Sequence, residues 1–137
     1  MAESTKVLLV DDEPLVLRSM EKTLLRAGFD VHTAGGAGAG LVAFQSARDV
    51  GDPFHIAVLD LHMPNLRGQD DPDAGLELLS RLHEIDAGLP VVVLTAYDEV
   101  NRAREAVARG AQAYFVKGRE AGLVELVKSI LSKKETP

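Results

Sequence analysis

The sequence predicts a doubly wound α/β domain, a parallel sheet with helices on both faces. Three observations predict it. Short, continuous apolar runs recur along the chain, segments with helical apolar spacing separate them, and the two kinds alternate from one end to the other. A chain of 137 residues suits one compact domain, and a domain of about that size buries roughly two-thirds of its unfolded surface.

Lys6-Val7-Leu8-Leu9-Val10 is the first apolar run. Its shortness and lack of alternation mark a strand buried on both faces. Residues 14–27 follow, with Val16, Met20, Leu24 and Ala27 on one helical stripe and Gly28 as a C-cap. Val31-His32-Thr33-Ala34 alternates and reads as an edge strand. Residues 36–50 predict the second helix. It opens on Gly35-Gly36-Ala37-Gly38-Ala39-Gly40, which weakens its start, since each glycine costs about 1 kcal/mol against alanine. That stretch fits Gly-x-Gly-x-x-Gly in no register and follows the second strand, so it reads as a flexible helix start and not as a dinucleotide loop.

His55-Ile56-Ala57-Val58-Leu59 is the third strand, and residues 74–85 carry Leu78, Leu79, Leu82 and Ile85 at helical spacing. Val91-Val92-Val93-Leu94 is the fourth strand. The fourth helix spans 98–109, capped by Asp98 and ended by Gly110, with a thin apolar face of Val100, Ala103 and Val107. Ala113-Tyr114-Phe115-Val116-Lys117 is the fifth strand, and residues 119–132 repeat Leu123, Leu126, Val127, Ile130 and Leu131 as the fifth helix. Right-handed crossovers between such units favour the three-layer flavodoxin-like order 2-1-3-4-5. The expected domain is single, with a core over 5–132 and a polar tail, 133–137, that suits the start of a linker.

Composition excludes several classes. The absence of cysteine removes disulfides, thiolate catalysis and cysteine-ligated metals, and suits a reducing, cytoplasmic setting. No stretch resembles a signal peptide or approaches the ~20 apolar residues of a membrane span. The net charge of −6, from 15 basic and 21 acidic residues, argues against nucleic-acid binding by this domain.

Ligands of an open parallel sheet bind beyond the carboxyl ends of its strands. There the first strand ends in Asp11-Asp12-Glu13, the third in Asp60, the fourth in Thr95 and the fifth in Lys117. The predicted topology gathers these ends at one edge. Two carboxylates ~4 Å apart repel by about 4 kcal/mol at an effective dielectric of 20, so such a cluster calls for a cation or a raised pKa. Lys117 supplies one positive charge. All-oxygen ligation selects a hard divalent ion such as Mg²⁺ for the rest. A phosphoryl group fits beside them, with Asp60 on the central strand as its nucleophile and Thr95 as a hydrogen-bond donor.

Four segments, in order, resemble the receiver domains of two-component response regulators, over nearly the whole chain. They are Val10-Asp11-Asp12-Glu13-Pro14, Leu59-Asp60-Leu61-His62-Met63-Pro64, Leu94-Thr95-Ala96, and Gly110-Ala111-Gln112-Ala113-Tyr114-Phe115-Val116-Lys117. The resemblance implies that Asp11 and Asp12 hold Mg²⁺, that Asp60 is phosphorylated and also ligates the metal, and that the His62 carbonyl completes the protein ligands. It implies that Thr95 follows the phosphoryl group, that Tyr114 switches rotamer, and that Lys117 pairs with the phosphoryl oxygens. The donor would be a histidine of a sensor kinase or a phosphotransfer protein. Such a domain transfers and hydrolyses only its own phosphoryl group and is not otherwise an enzyme. The fourth helix, fifth strand and fifth helix form the candidate output face, for a downstream protein partner or a homodimer. The sequence reads as a stand-alone receiver or a piece of a longer regulator or hybrid kinase.

Three departures from the family stand out. Gly118 replaces the usual cis-linked proline after the lysine, so a trans bond is expected there. The loop 65–74 is longer than the family needs and brings Asp70, Asp71 and Asp73 near the site. Tyr97, two residues past Thr95, is expected to shield the phosphoryl group from water. Three rival functions fit the residues less well. An aspartate-nucleophile phosphatase of the haloacid-dehalogenase type needs a second Asp where His62 stands. A flavin or nucleotide carrier lacks its phosphate loop after the first strand. An unphosphorylated protein-binding pseudo-receiver sits poorly with an intact Asp60, Thr95 and Lys117. Asp11-Asp12-Glu13 alone could be a helix cap. His32, His55, His62 and His83 show no ligand spacing and read as surface or edge residues.

Overall fold

The computed structural model describes residues 4–135, apart from the side chains of Tyr97, Lys134 and Glu135. The elements run β1 (Lys6–Val10), α1 (Pro14–Arg26), β2 (Asp30–Ala34), α2 (Ala37–Asp49), β3 (Ile56–Asp60), β4 (Met63–Pro64), β5 (Asp70–Asp71), α3 (Ala74–Ile85), β6 (Val91–Thr95), α4 (Val100–Ala108), β7 (Ala113–Val116) and α5 (Glu120–Glu135). A 3₁₀ turn, Tyr97–Glu99, leads into α4. Five strands form one parallel sheet in the order β2-β1-β3-β6-β7. This is the predicted 2-1-3-4-5 order, with a short β4–β5 hairpin inserted after the third strand.

The sheet explains the unbroken apolar runs. Successive side chains of a strand face opposite ways. Leu8, Val10, Ala57, Leu59, Val91 and Val93 join one core with α2, α3 and α4. Val7, Leu9, Ile56, Val58, Val92 and Leu94 join a second core with Met20 and Leu24 of α1 and with Leu123, Val124, Val127 and Ile130 of α5. β2 is an edge strand, as its alternation predicted, and shows a mostly exposed pattern. Gly28 follows α1 with φ +97°, in the left-handed region that suits a glycine.

Several local expectations are corrected. Two glycines at the start of α2 are closely packed: a Cβ on Gly40 would lie 3.1 Å from Val10 and 3.2 Å from Leu78, and one on Gly36 would lie 3.3 Å from Pro64. These glycines are there for close approach, which is why they weaken propensity without loosening the fold. Asp98 does not cap α4; it lies inside the 3₁₀ turn, and Glu99 holds the N-cap position without a side-chain hydrogen bond. The buried residues of α4 are Ala103 and Ala106, whereas Val107 is exposed. The last helix runs past Ser132 to Glu135, into the expected tail, whose final residues 136–137 lie outside the described part.

The long loop 65–74 is a built hairpin. Asn65 is buried and organises it. Its Oδ1 accepts the backbone N–H groups of Arg67 at 2.9 Å and Gln69 at 3.0 Å, and its Nδ2 donates to Asp71 at 3.1 Å. Gly68 closes the turn with φ +80°. Leu66 N–H donates to Glu77 of α3, and Arg102 of α4 pairs with Asp73 at the start of α3.

Candidate functional site

β1, β3 and β7 deliver their ends to one crest. Lys117 Nζ lies 3.0 Å from Asp60 Oδ2, 2.9 Å from Asp11 Oδ2 and 2.9 Å from Glu13 Oε1. The lysine is placed by its own backbone, whose N–H donates to the Thr95 carbonyl at 3.0 Å. Asp60 is placed by its strand and by its neighbour, since the Leu61 N–H donates to Asp60 Oδ1 at 2.9 Å.

Asp11 serves two ends at once. Its Oδ1 accepts the Glu13 N–H at 2.9 Å, in the turn ahead of α1, whose N-cap Glu13 makes no side-chain capping hydrogen bond of its own. Its Oδ2 is fully buried, and the Lys117 ammonium approaches as an ion pair out of line for a hydrogen bond.

Gly75 fixes the relation between α3 and the site. A Cβ there would stand 2.3 Å from the Asp60 carbonyl oxygen and 2.8 Å from Leu61 Cα. The bare backbone instead donates its N–H to the Leu61 carbonyl at 2.9 Å.

Crowded charge shifts the ionisable groups. Burial, and then the neighbouring Asp11 charge, hold the Asp60 carboxyl up at about 7 against the pull of Lys117. Asp12 is raised as well, by burial first, then by Asp11 and more weakly by Asp70. Burial alone would lower Lys117, but its contacts with Glu13, Asp11 and Asp60 outweigh that and hold the ammonium above its ordinary value. Asp71, by contrast, is held below its ordinary value by the Asp73 N–H and the Asn65 amide.

An open pocket of about 350 Å³ lies over this crest, lined by Asp12, Glu13, Asp60, His62, Asp70, Ala96, Glu99 and Lys117. Carboxylate oxygens of Asp11, Asp12, Glu13 and Asp60 all fall within 4.8 Å of one another. An all-oxygen set that includes the undonated Asp11 Oδ2 fits a hard divalent cation.

The other predicted residues fall around this centre. Thr95 is buried at the tip of β6, and its hydroxyl donates to the Ala96 carbonyl at 3.0 Å. Tyr114 is half-buried, packed against the core. His62 is exposed, with Nε2 3.5 Å from Asp70 Oδ2. The Tyr97 backbone opens the 3₁₀ turn, and its side chain lies outside the described part. The Lys117–Gly118 peptide is trans, as expected, and Gly118 has φ +112°. Proline, locked near −65°, could not adopt that backbone. The sequence reading passed over two residues, Glu13 as a third partner of Lys117 and Asn65 as the hairpin's organiser. Glu13 was legible as part of the acidic run, whereas a single Asn in a polar loop carries no such signal.

Fold and crest together define a doubly wound domain whose switch point is an acidic pocket holding one lysine. A family profile described as response regulator receiver domain matches residues 7–130, and the chain belongs to that family. It is 34% identical over 125 residues to the response regulator protein FleR of Pseudomonas aeruginosa, covering 90% of this chain and 24% of FleR. The chain therefore spans about a quarter of that relative's length. A CheY-like receiver domain protein from Methanospirillum hungatei matches with TM-score 0.81 at 27% identity, over 97% of this chain and 98% of that one. The response regulator protein TrrA of Thermotoga maritima, solved in complex with Mg²⁺ and BeF, matches with TM-score 0.75 at 26% identity, over 92% of this chain and 98% of that one.

Proposed function

We propose that this receiver takes a phosphoryl group on Asp60 from a phosphohistidine of a sensor kinase or phosphotransfer protein, with Mg²⁺ as cofactor, and passes the event to a partner through α4, β7 and α5. The observation that carries this reading is the convergence of Asp60, Asp11 and Glu13 on one ammonium, Lys117.

Asp60 Oδ2 is the nucleophile. It forms the new P–O bond as the P–N bond of the phosphohistidine breaks, and the electron pair leaves with the imidazole. Asp11, Asp12, Asp60 and the His62 carbonyl would hold Mg²⁺. Bound there, the ion offsets charge on the carboxylates and on the transferring phosphoryl group. Lys117 adds a second positive charge to the phosphoryl oxygens. The Thr95 hydroxyl turns from the Ala96 carbonyl to donate to one of them, and Tyr114 follows by changing rotamer. A phosphoryl group brings about −1.5 to −2 charge units and three acceptor oxygens, enough to redistribute states that differ in their contacts with it. α4 is the element most easily shifted, since it buries only two alanines.

Tyr97 shields the aspartyl phosphate from water in this reading, so Tyr97→Ala speeds its loss. The domain acts on no substrate but its own phosphoryl group. No described helix is long and apolar enough to cross a membrane, and a cytoplasmic setting is the one in which such kinases act.

Acetyl phosphate, with and without Mg²⁺, tests the reading by intact mass. Wild type gains one phosphoryl adduct with Mg²⁺, and Asp60→Asn gains none. No adduct on wild type, or the same adduct on Asp60→Asn, overturns it.

A further inference from the structure

The β4–β5 hairpin places Asp70 on the rim of the pocket, beside Asp12, His62 and Lys117. The placement is fixed on several sides. Pro64 pairs with Asp70 in the hairpin register, buried Asn65 holds the turn, and His62 Nε2 stands 3.5 Å from the Asp70 carboxylate. The insertion is anchored to α3 through Glu77 and to α4 through Arg102.

The charge around the opening is lopsided. Asp12, Glu13, Asp60, Asp70 and Glu99 line it, against a single lysine. Asp70 lies apart from the Asp11, Asp12, Glu13 and Asp60 group whose oxygens could share one cation. It is also mostly solvated, with its side chain 73% exposed. Its charge therefore stays on the approach to the pocket while a cation offsets the charges inside. An anion diffusing in from solution meets that field, which salt screens over about 10 Å at 0.1 M. Asp12 already feels the Asp70 charge.

We propose that Asp70 is a specificity-determining residue that selects against small, highly charged phosphoryl donors, and so favours a donor delivered on a protein. This rests on Asp60 being the acceptor. The hairpin thus works as a charged rim rather than as slack between β3 and α3.

Two small donors of different charge test the idea. Acetyl phosphate is a dianion near neutral pH, and phosphoramidate, protonated on nitrogen, carries less net charge. In either case a P–O bond forms to Asp60 and the donor's bond to phosphorus breaks. The electron pair leaves with acetate in one case and with the nitrogen, as ammonia, in the other.

Rates of adduct formation are measured with Mg²⁺ at low salt for wild type, Asp70→Asn, Asp70→Lys and the charge-matched control Asp49→Asn. Asp49 ends α2, at the opposite end of the sheet. Removing one charge near the opening should raise the acetyl phosphate rate about three- to fivefold at a near-aqueous dielectric. The phosphoramidate rate rises less, Asp70→Lys exceeds Asp70→Asn, and the gain shrinks at high salt. Asp49→Asn stays with wild type.

A gain equal for both donors, insensitive to salt, or matched by Asp49→Asn overturns the proposal, as does no gain at all. If wild type takes an adduct and only these comparisons fail, the rim role falls and the Asp60 reading stands. If wild type takes no adduct from either donor, both fall together.

Discussion

Lys117 Nζ stands 3.0 Å from Asp60 Oδ2, across 57 residues of chain. The contact joins the edge strand β7 to the central strand β3, with β6 between them. It exists because a parallel sheet gathers distant strand tips at one edge.

Acid–base linkage follows from that crowding. Asp60 holds its proton up to about 7 in the folded protein, through burial and then Asp11. An unfolded Asp releases it near ~3.9. Between those values the folded state binds a proton that the unfolded state does not, so this group's contribution to stability falls as pH rises, and is flat above. Asp12 is shifted the same way. Lys117 is raised, so its contribution is fully present throughout this window and is lost only at alkaline pH. Urea unfolding in EDTA should show Asp60→Asn gaining on wild type as pH climbs from about 5 to about 8. A gap that is constant or narrows with pH contradicts the linkage.

Gly75→Ala should destabilise the protein by about 2–4 kcal/mol, because a Cβ there meets the Asp60 carbonyl oxygen at 2.3 Å and two packed elements must separate. Gly35→Ala is the control, since nothing lies within 4 Å of a Cβ at that position. Denaturant titration separates the two. Similar midpoints would mean that α3 accommodates the methyl group freely.

Asn65→Ala should leave the Arg67 and Gln69 N–H groups and the Asp71 carboxylate without their partner. Loss of these partly buried bonds costs about 1–3 kcal/mol. Amide exchange should rise at Arg67 and Gln69 and stay unchanged in α1. Unaltered protection in the hairpin would show that the backbone holds the turn by itself.

α4 should open before α3. Its buried residues are Ala103 and Ala106, whereas α3 buries Leu76, Leu78, Leu79 and Leu82. Helices with little apolar burial exchange through low-energy local opening. Native-state hydrogen exchange should therefore place α4 amides well below those of α3. Arg102→Ala should lower α4 protection by up to about 1 kcal/mol, the scale of an exposed ion pair. Equal protection in the two helices would contradict this.

Element types and sheet order were legible because hydrophobic periodicity and crossover handedness leave few alternatives. Asp11, Asp12, Asp60 and Lys117 were legible as strand ends, and the crest they form follows from topology alone. Contacts between elements were not. Gly40 looked like a weak helix residue because propensity is local, while its reason lies in Val10 and Leu78. The α4 cap was misplaced because a 3₁₀ turn and a first helical turn share the same acidic residues, Asp98 and Glu99. The β4–β5 hairpin was hidden because its strands are two residues each, too short for any period, and its anchor is a single buried Asn65.

An ammonium has three N–H bonds; Lys117 directs two of them at Glu13 and Asp60 and lies against Asp11 as an ion pair. Any newcomer that draws on this lysine competes with those partners, and Glu13 is the one most easily released, with its side chain 59% in solvent against 0% for Asp11 and 7% for Asp60. Competition beside Asp60 is thereby felt first at the threshold of α1.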